Sequence, residues 1–143
     1  MSDLPGINIC LAFKLTLNEN RVIFVVILYD SLTGNVGRFV KKLPLEATPI
    51  RSDMVVDQGF VLITFTTGLG KVSDTTKAFL EVNHHYLKGI AASGNKNFGI
   101  YFAVAADEIS RLYHVPIISK FELSGTPTDV KLFMEGLSEI EAY

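Results

Sequence analysis

The 143-residue chain contains one cysteine, Cys10, so it has no intrachain disulfide framework and suits a reducing, cytoplasmic setting. Cys10 sits between apolar neighbours and reads as inert packing rather than as a reactive thiol. No apolar run approaches the roughly 18 residues of a membrane span. Ile9 to Leu17 is interrupted by Lys14 and preceded by Asp3, without a basic leader or a small-residue cleavage site, and is not read as a signal peptide. Neither sign of charge dominates: 13 basic residues face 15 acidic ones, a formal net charge of -2, which lacks the basic surface of a nucleic-acid binder. His, Cys and carboxylate residues are not clustered at metal-ligand spacings. His84 and His85 are adjacent, so on a helix they point about 100° apart and read as a surface pair at a helix end. No Pro/Gly/Ser-rich linker or internal repeat divides the chain, whose length fits one domain.

What the chain has is hydrophobicity, 48% of residues, arranged in short bursts. The clearest burst, Val22 to Tyr29, is continuous and β-branched, as in a parallel strand buried on both faces. It ends in Asp30-Ser31-Leu32-Thr33-Gly34-Asn35-Val36, and Val36, Phe39, Val40 and Leu43 then follow helical spacing. A tight strand-to-helix turn aims backbone N–H groups outward, and Ser31, Thr33 and Asn35 add side-chain donors, a pattern suited to a phosphate monoester. The same hydroxyls and amide could instead be ordinary helix caps. No lysine follows Gly34, which excludes a nucleoside-triphosphate P-loop. Asp30 reads as loop structure.

The alternation continues. A weak strand falls near 48–51, and a strong one at 60–65 ends in Thr66-Thr67-Gly68-Leu69-Gly70. A helix from about Ser73 puts Phe79, Leu80 and Leu87 inward. A strand at 88–92 ends in Ser93-Gly94-Asn95, and a helix then carries Phe98, Phe102, Ala105, Ile109 and Leu112 on one stripe. The fifth strand, 116–123, alternates toward its end as an edge strand does. Thr126-Pro127-Thr128-Asp129 opens the last helix as N-cap, N1 proline and acidic N3, with Val130, Phe133, Met134, Leu137 and Ile140 on its buried stripe. The fold class is therefore α/β, a three-layer sandwich around a five-stranded parallel sheet in the flavodoxin-like order 2-1-3-4-5. Ligands of such sheets sit beyond the carboxyl ends of the strands, where strand order reverses. Loops 30–35, 66–71 and 93–99 all lie at those ends. Residues 1–20 form an N-terminal extension, either a β-hairpin arm turning at Asn18-Glu19-Asn20 or a disordered segment, and residues 21–143 form the domain.

The Ser31-Leu32-Thr33-Gly34-Asn35 turn resembles the phosphate loop of flavodoxins, which bind flavin mononucleotide (FMN). Taken with Thr66-Thr67-Gly68-Leu69-Gly70-Lys71-Val72, Ala92-Ser93-Gly94-Asn95-Lys96-Asn97-Phe98-Gly99 and Phe121-Glu122-Leu123-Ser124-Gly125-Thr126, it resembles more narrowly the NrdI family. These are flavodoxin-like activators of class Ib ribonucleotide reductase, and the likeness runs from about residue 22 to 140. It implies an FMN cofactor whose reduced form reacts with dioxygen to give superoxide. That oxidant would assemble the dimanganese–tyrosyl radical centre in the reductase's small subunit, the implied partner, with a flavin reductase as electron donor. It also implies site roles. Ser31, Leu32, Thr33, Gly34, Asn35 and Val36 would hold the phosphate, and Thr66, Thr67, Gly68, Leu69 and Gly70 would contact the ring, with Gly68 as a peptide able to flip. Ser93, Gly94, Asn95, Phe98 and Gly99 would frame its other side. Val36 stands where ordinary flavodoxins tend to have Thr, and Phe98 where the family often has Trp.

Segments 60–71 and 89–99 contain no Asp or Glu but carry Lys71 and Lys96. One like charge about 6 Å away at an effective dielectric near 20 is worth about 3 kcal/mol before screening. Its absence predicts a flavin whose two one-electron potentials lie close together. Two rivals stay open: a general flavodoxin electron carrier, and a cofactor-free binding module on the same fold. A flavin absorption spectrum separates the second from the others, and radical formation in the reductase small subunit separates the first.

Overall fold

The computed structural model describes residues 13–18, 21–68 and 70–140. Its centre is a parallel sheet of β2 (Arg21–Tyr29), β3 (Thr48–Pro49), β4 (Phe60–Thr67), β6 (Leu87–Gly94) and β7 (Ile117–Glu122). The parallel pairings run β3-β2-β4-β6-β7, which is the order 2-1-3-4-5 expected from the alternation. Two antiparallel additions complete the sheet. β1 (Phe13–Asn18) pairs with the first half of β2, from Phe13 against Val25 to Asn18 against Arg21, and β5 (Lys71–Val72) folds back on the end of β4. The edge of β2 away from β4 is thus shared, its start covered by β1 and its end by β3.

Successive residues of a strand face opposite sides, and both sides here are covered, which is why the bursts are continuous rather than alternating. Val26, Leu28, Phe60, Leu62, Ile90 and Ala92 pack under α2 (Asp74–Asn83) and α3 (Val104–Tyr113), against Phe79, Leu80, Ala105, Ala106 and Ile109. Val25, Ile27, Val61, Ile63 and Ala91 pack under α1 (Asn35–Lys41) and α4 (Pro127–Ser138), against Val36, Phe39, Val40, Phe133, Leu137 and Ile140. Phe39 anchors this second core, stacked on Phe121 at 3.9 Å between centroids and edge-on to Phe133 at 5.8 Å. The start of α4 carries the full capping box: Thr126 accepts from the Asp129 N–H, and Asp129 accepts from the Thr126 N–H. Among the described residues no helix is long and apolar enough to cross a membrane.

Three local expectations differ. Phe98 does not begin the α3 stripe: residues 96–101 form a 3-10 turn kinked at Gly99 (φ 57°, ψ -117°), and the α-helix starts at Val104. Phe98 is accordingly half-exposed rather than core, and Leu112, within α3, is half-exposed as well. The segment after Thr67 is a hairpin returning as β5, not an open loop, with Leu69 outside the described residues. Leu87, expected on the inner face of α2, is buried as the first residue of β6, because that helix ends at Asn83 and a 3-10 turn, His84–Tyr86, leads out of it. His84 and His85 lie exposed on that turn, as expected.

Candidate functional site

The parallel strands β2, β4, β6 and β7 all end at one rim, and the turns that follow enclose a cleft of about 320 Å³. That size is at the lower end of the usual range for small-molecule sites. The first wall is the turn from β2 into α1. Gly34 is the N-cap residue of α1 at φ 93°, a left-handed conformation that glycine adopts without strain. Ser31 Oγ reaches forward and accepts the Gly37 N–H at 3.1 Å. A hydroxyl keeps its own proton when it accepts, so this cap leaves Ser31 able to donate outward. Asn35 and Val36, the first two helical residues, have N–H groups with no intrahelical acceptor. Val36 is itself buried in the core, so it offers the cleft backbone and not side-chain polarity. Thr33 Oγ1 accepts a long bond of 3.4 Å from the Asn35 amide.

The second wall is the end of β4 and its hairpin. Thr66 Oγ1 accepts the Ala105 N–H at 3.2 Å and so caps α3 from another strand, where Ala103 has no side chain able to do so. Thr67 donates to the Lys71 carbonyl across the hairpin at 3.3 Å. Gly68 is exposed, and a Cβ built on it meets no atom within 4 Å, so bare backbone faces the cleft there.

The third wall is the end of β6. Ser93, buried, donates to the Leu123 carbonyl at 2.6 Å, and the Leu123 N–H donates to the Gly94 carbonyl at 2.9 Å. Gly94 lies against the start of α3 so closely that a Cβ would stand 2.4 Å from the Ala103 nitrogen. Asn95 Oδ1 accepts the Asn97 N–H and starts the 3-10 turn that carries Phe98 to the cleft.

Of the residues singled out in the sequence, Ser31, Leu32, Thr33, Asn35, Val36, Thr66, Thr67, Gly68, Ser93, Gly94, Asn95 and Phe98 border this one cleft. Gly34, Gly70 and Gly99 are not on its lining: Gly34 turns the chain, Gly70 abuts Tyr101 and Val104, and Gly99 kinks the third loop. Leu69 lies outside the described residues.

Phe65, Tyr101 and Leu123 also line the cleft and were not singled out. Leu123 holds a left-handed backbone, φ 53°, that costs a non-glycine residue about 1–2 kcal/mol. Its side chain is 45% exposed, so packing does not account for it. Leu32 and Phe98 on the lining are likewise exposed, giving the cleft an apolar rim.

Among the described residues no Asp or Glu borders the cleft. Asp30, one residue before the first turn, is occupied inward: its Oδ2 accepts from Ser73 Oγ at 2.5 Å and Thr76 Oγ1 at 2.8 Å. One carboxylate does reach the third turn. Glu122, opposite Gly94 in the β6–β7 register, accepts the Lys96 N–H at 3.1 Å, an approach that counting charges within 89–99 misses. The Lys96 ammonium lies 5.7 Å from the Phe102 ring centroid.

Residues 27–135 match the family described as NrdI flavodoxin-like. The chain is similar to Protein NrdI of Bacillus licheniformis, 50% identical over 117 residues that cover 81% of this chain and 89% of that protein. Among solved structures it resembles a short-chain flavodoxin associated with a non-canonical PDU bacterial microcompartment, with a TM-score of 0.59 and 18% identity. It also resembles oxidised flavodoxin 1 from Bacillus cereus, with a TM-score of 0.54 and 17% identity. Each alignment covers 80% of this chain and 95% of the other, and at these identities it shows the fold alone.

Proposed function

Because this chain belongs to the NrdI flavodoxin-like family, we propose that its cleft holds FMN and that it serves class Ib ribonucleotide reductase, supplying superoxide for the dimanganese–tyrosyl radical centre of the small subunit. The observation that supports this most is the convergence of three strand-end turns on one cleft lined by both polar and apolar groups.

The residues present fit such a group. At the first turn, the N–H groups of Asn35 and Val36 and the hydroxyls of Ser31 and Thr33 supply donors for a phosphate monoester. Farther along, Gly68 presents side-chain-free backbone, and Phe98, Tyr101 and Leu123 present flat or apolar surface for a ring system. When bound and reduced, FMN supplies one-electron chemistry toward dioxygen.

The chain's own part is to grip, orient and set charge. With no carboxylate of the described residues on the cleft lining and Asp30 bonded to two hydroxyls, negative charge at the ring end meets no described acid on that lining. The exposed apolar rim of Leu32, Phe98 and Leu123 offers a face for a protein partner around the cleft mouth.

The purified chain mixed with FMN should turn yellow with the two-band spectrum of a bound oxidised flavin. Reduced and mixed with the reductase small subunit, manganese and dioxygen, it should generate a tyrosyl radical visible by electron paramagnetic resonance. A chain that ignores FMN sinks the proposal at its first step. One that binds FMN but yields no radical retains the cofactor and loses the reductase role.

A further inference from the structure

Arg38 lies in the last turn of α1, where a basic residue is ordinarily a solvated complement to the helix dipole. Its side chain instead runs back over the first turn. Nε donates to Ser124 Oγ at 2.9 Å, and Nη2 donates to Asn35 Oδ1 at 2.7 Å. Ser124 Oγ in turn donates to the same Asn35 oxygen at 2.8 Å, closing a three-membered ring of bonds. The β7–α4 turn that carries Ser124 is held to α1 a second time, by Lys42, whose ammonium donates to the Ser124 and Gly125 carbonyls.

A guanidinium is a rigid fork, so fixing Nε and Nη2 fixes the third nitrogen as well. Nη1 finds no acceptor among the described residues and lies directly over Gly34: a Cβ built there would stand 2.8 Å from it. Gly34 therefore gives the turn its left-handed bend and also leaves room for a cation above it. Both N–H donors of Nη1 are left unspent over Gly34, in the turn proposed for the phosphate.

We infer that Arg38 is the specificity-determining cation of the cleft, held by Ser124 and Asn35 so that Nη1 recognises the phosphate of FMN and discriminates against the uncharged tail of riboflavin. This rests on the FMN reading above and adds to it the residue that reads the ligand's charge. Arg38 is exposed, so replacing it removes no core packing.

The test is a pair of fluorescence titrations, FMN and riboflavin, on the wild-type chain and on Arg38→Gln, Arg38→Lys and Ser124→Ala. A hydrogen bond to a charged group lost from Arg38→Gln should weaken FMN roughly tenfold or more and leave riboflavin within about twofold. Arg38→Lys, which restores charge without the fork, should recover part of the FMN affinity, and Ser124→Ala should lose part of it. The dependence of FMN affinity on salt should flatten in Arg38→Gln alone. Equal weakening of both flavins makes Arg38 a structural clasp and overturns the inference, as does an unchanged FMN affinity. A wild-type chain that binds neither flavin refutes the cofactor reading itself, and the inference with it.

Discussion

Substituting Gly94 by alanine tests how tightly the third wall is built. The added Cβ would stand 2.4 Å from the Ala103 nitrogen, 2.9 Å from its Cα and 3.2 Å from its Cβ. Ordinary contact between such atoms begins near 3.5 Å, so β6 and the start of α3 must part by about 1 Å. Backbone lies on both sides of the gap, and no rotamer change relieves it. The Thr66 bond to the Ala105 N–H, already 3.2 Å, ties the same helix start to β4 and would be strained by that shift. Overpacking of this kind costs about 1–3 kcal/mol, and an obstacle made of backbone puts this site at about 3. For 143 residues, with an unfolding entropy of about 2.1 cal/mol/K per residue, that lowers the melting temperature by about 10 °C.

Gly68→Ala is the internal control. It meets no atom, so it carries only the cost of a left-handed alanine, about 1 kcal/mol, or about 3 °C. Melting followed by circular dichroism gives both values. A Gly94→Ala protein that melts no lower than Gly68→Ala would show that the junction yields freely and that the close approach does not hold the wall.

Three further predictions follow from packing, capping and burial. Phe39→Ala removes the ring that stacks on Phe121 and meets Phe133 edge-on, and should cost about 3–5 kcal/mol in urea unfolding. Thr126→Ala loses the α4 cap and should cost about 1 kcal/mol, with Asp129→Asn costing less because the Thr126 cap survives. Burial, and secondarily the Glu81 carboxylate, push the Tyr113 phenol above its ordinary value of 10.0. Its contribution to stability is therefore complete below that value and is lost as pH rises through the higher folded-state value. An ultraviolet phenolate titration should show that Tyr113→Phe removes signal from the region above pH 10.

The parts of this fold legible in the sequence were those encoded by local pattern. β2 and β4 stand out because parallel strands buried on both faces leave no polar position to interrupt them, as in Val25 to Leu28 and Phe60 to Ile63. The start of α4 was legible because a capping box lies within four consecutive residues. The three turns were legible as one site because strand order alone brings their ends together.

What escaped was set by contacts distant in sequence or by glycine geometry. Phe98 and Phe102 keep helical spacing, but Gly99 at φ 57° breaks the helix between them. The return of β5 after Thr67 was obscured by two glycines in three residues, which read as a plain loop. Arg38 carries no local signal of its role, because its partner Ser124 lies 86 residues away. Glu122 reaches the third turn only through the β6–β7 register.

Leu123 is tethered at both its amide and its carbonyl to neighbouring residues of β6, the strand that lies between β4 and β7. Its isobutyl group is therefore located by the interior of the protein and not by the turn in which it is numbered. Lengthening or re-sequencing residues 124–126 should change how the cleft is bordered at the outer lip while its inner apolar cheek stays where it is. The two ends of the cleft should then be separately alterable, because one is anchored to the sheet and the other is carried by the turns around Gly34 and Ser124.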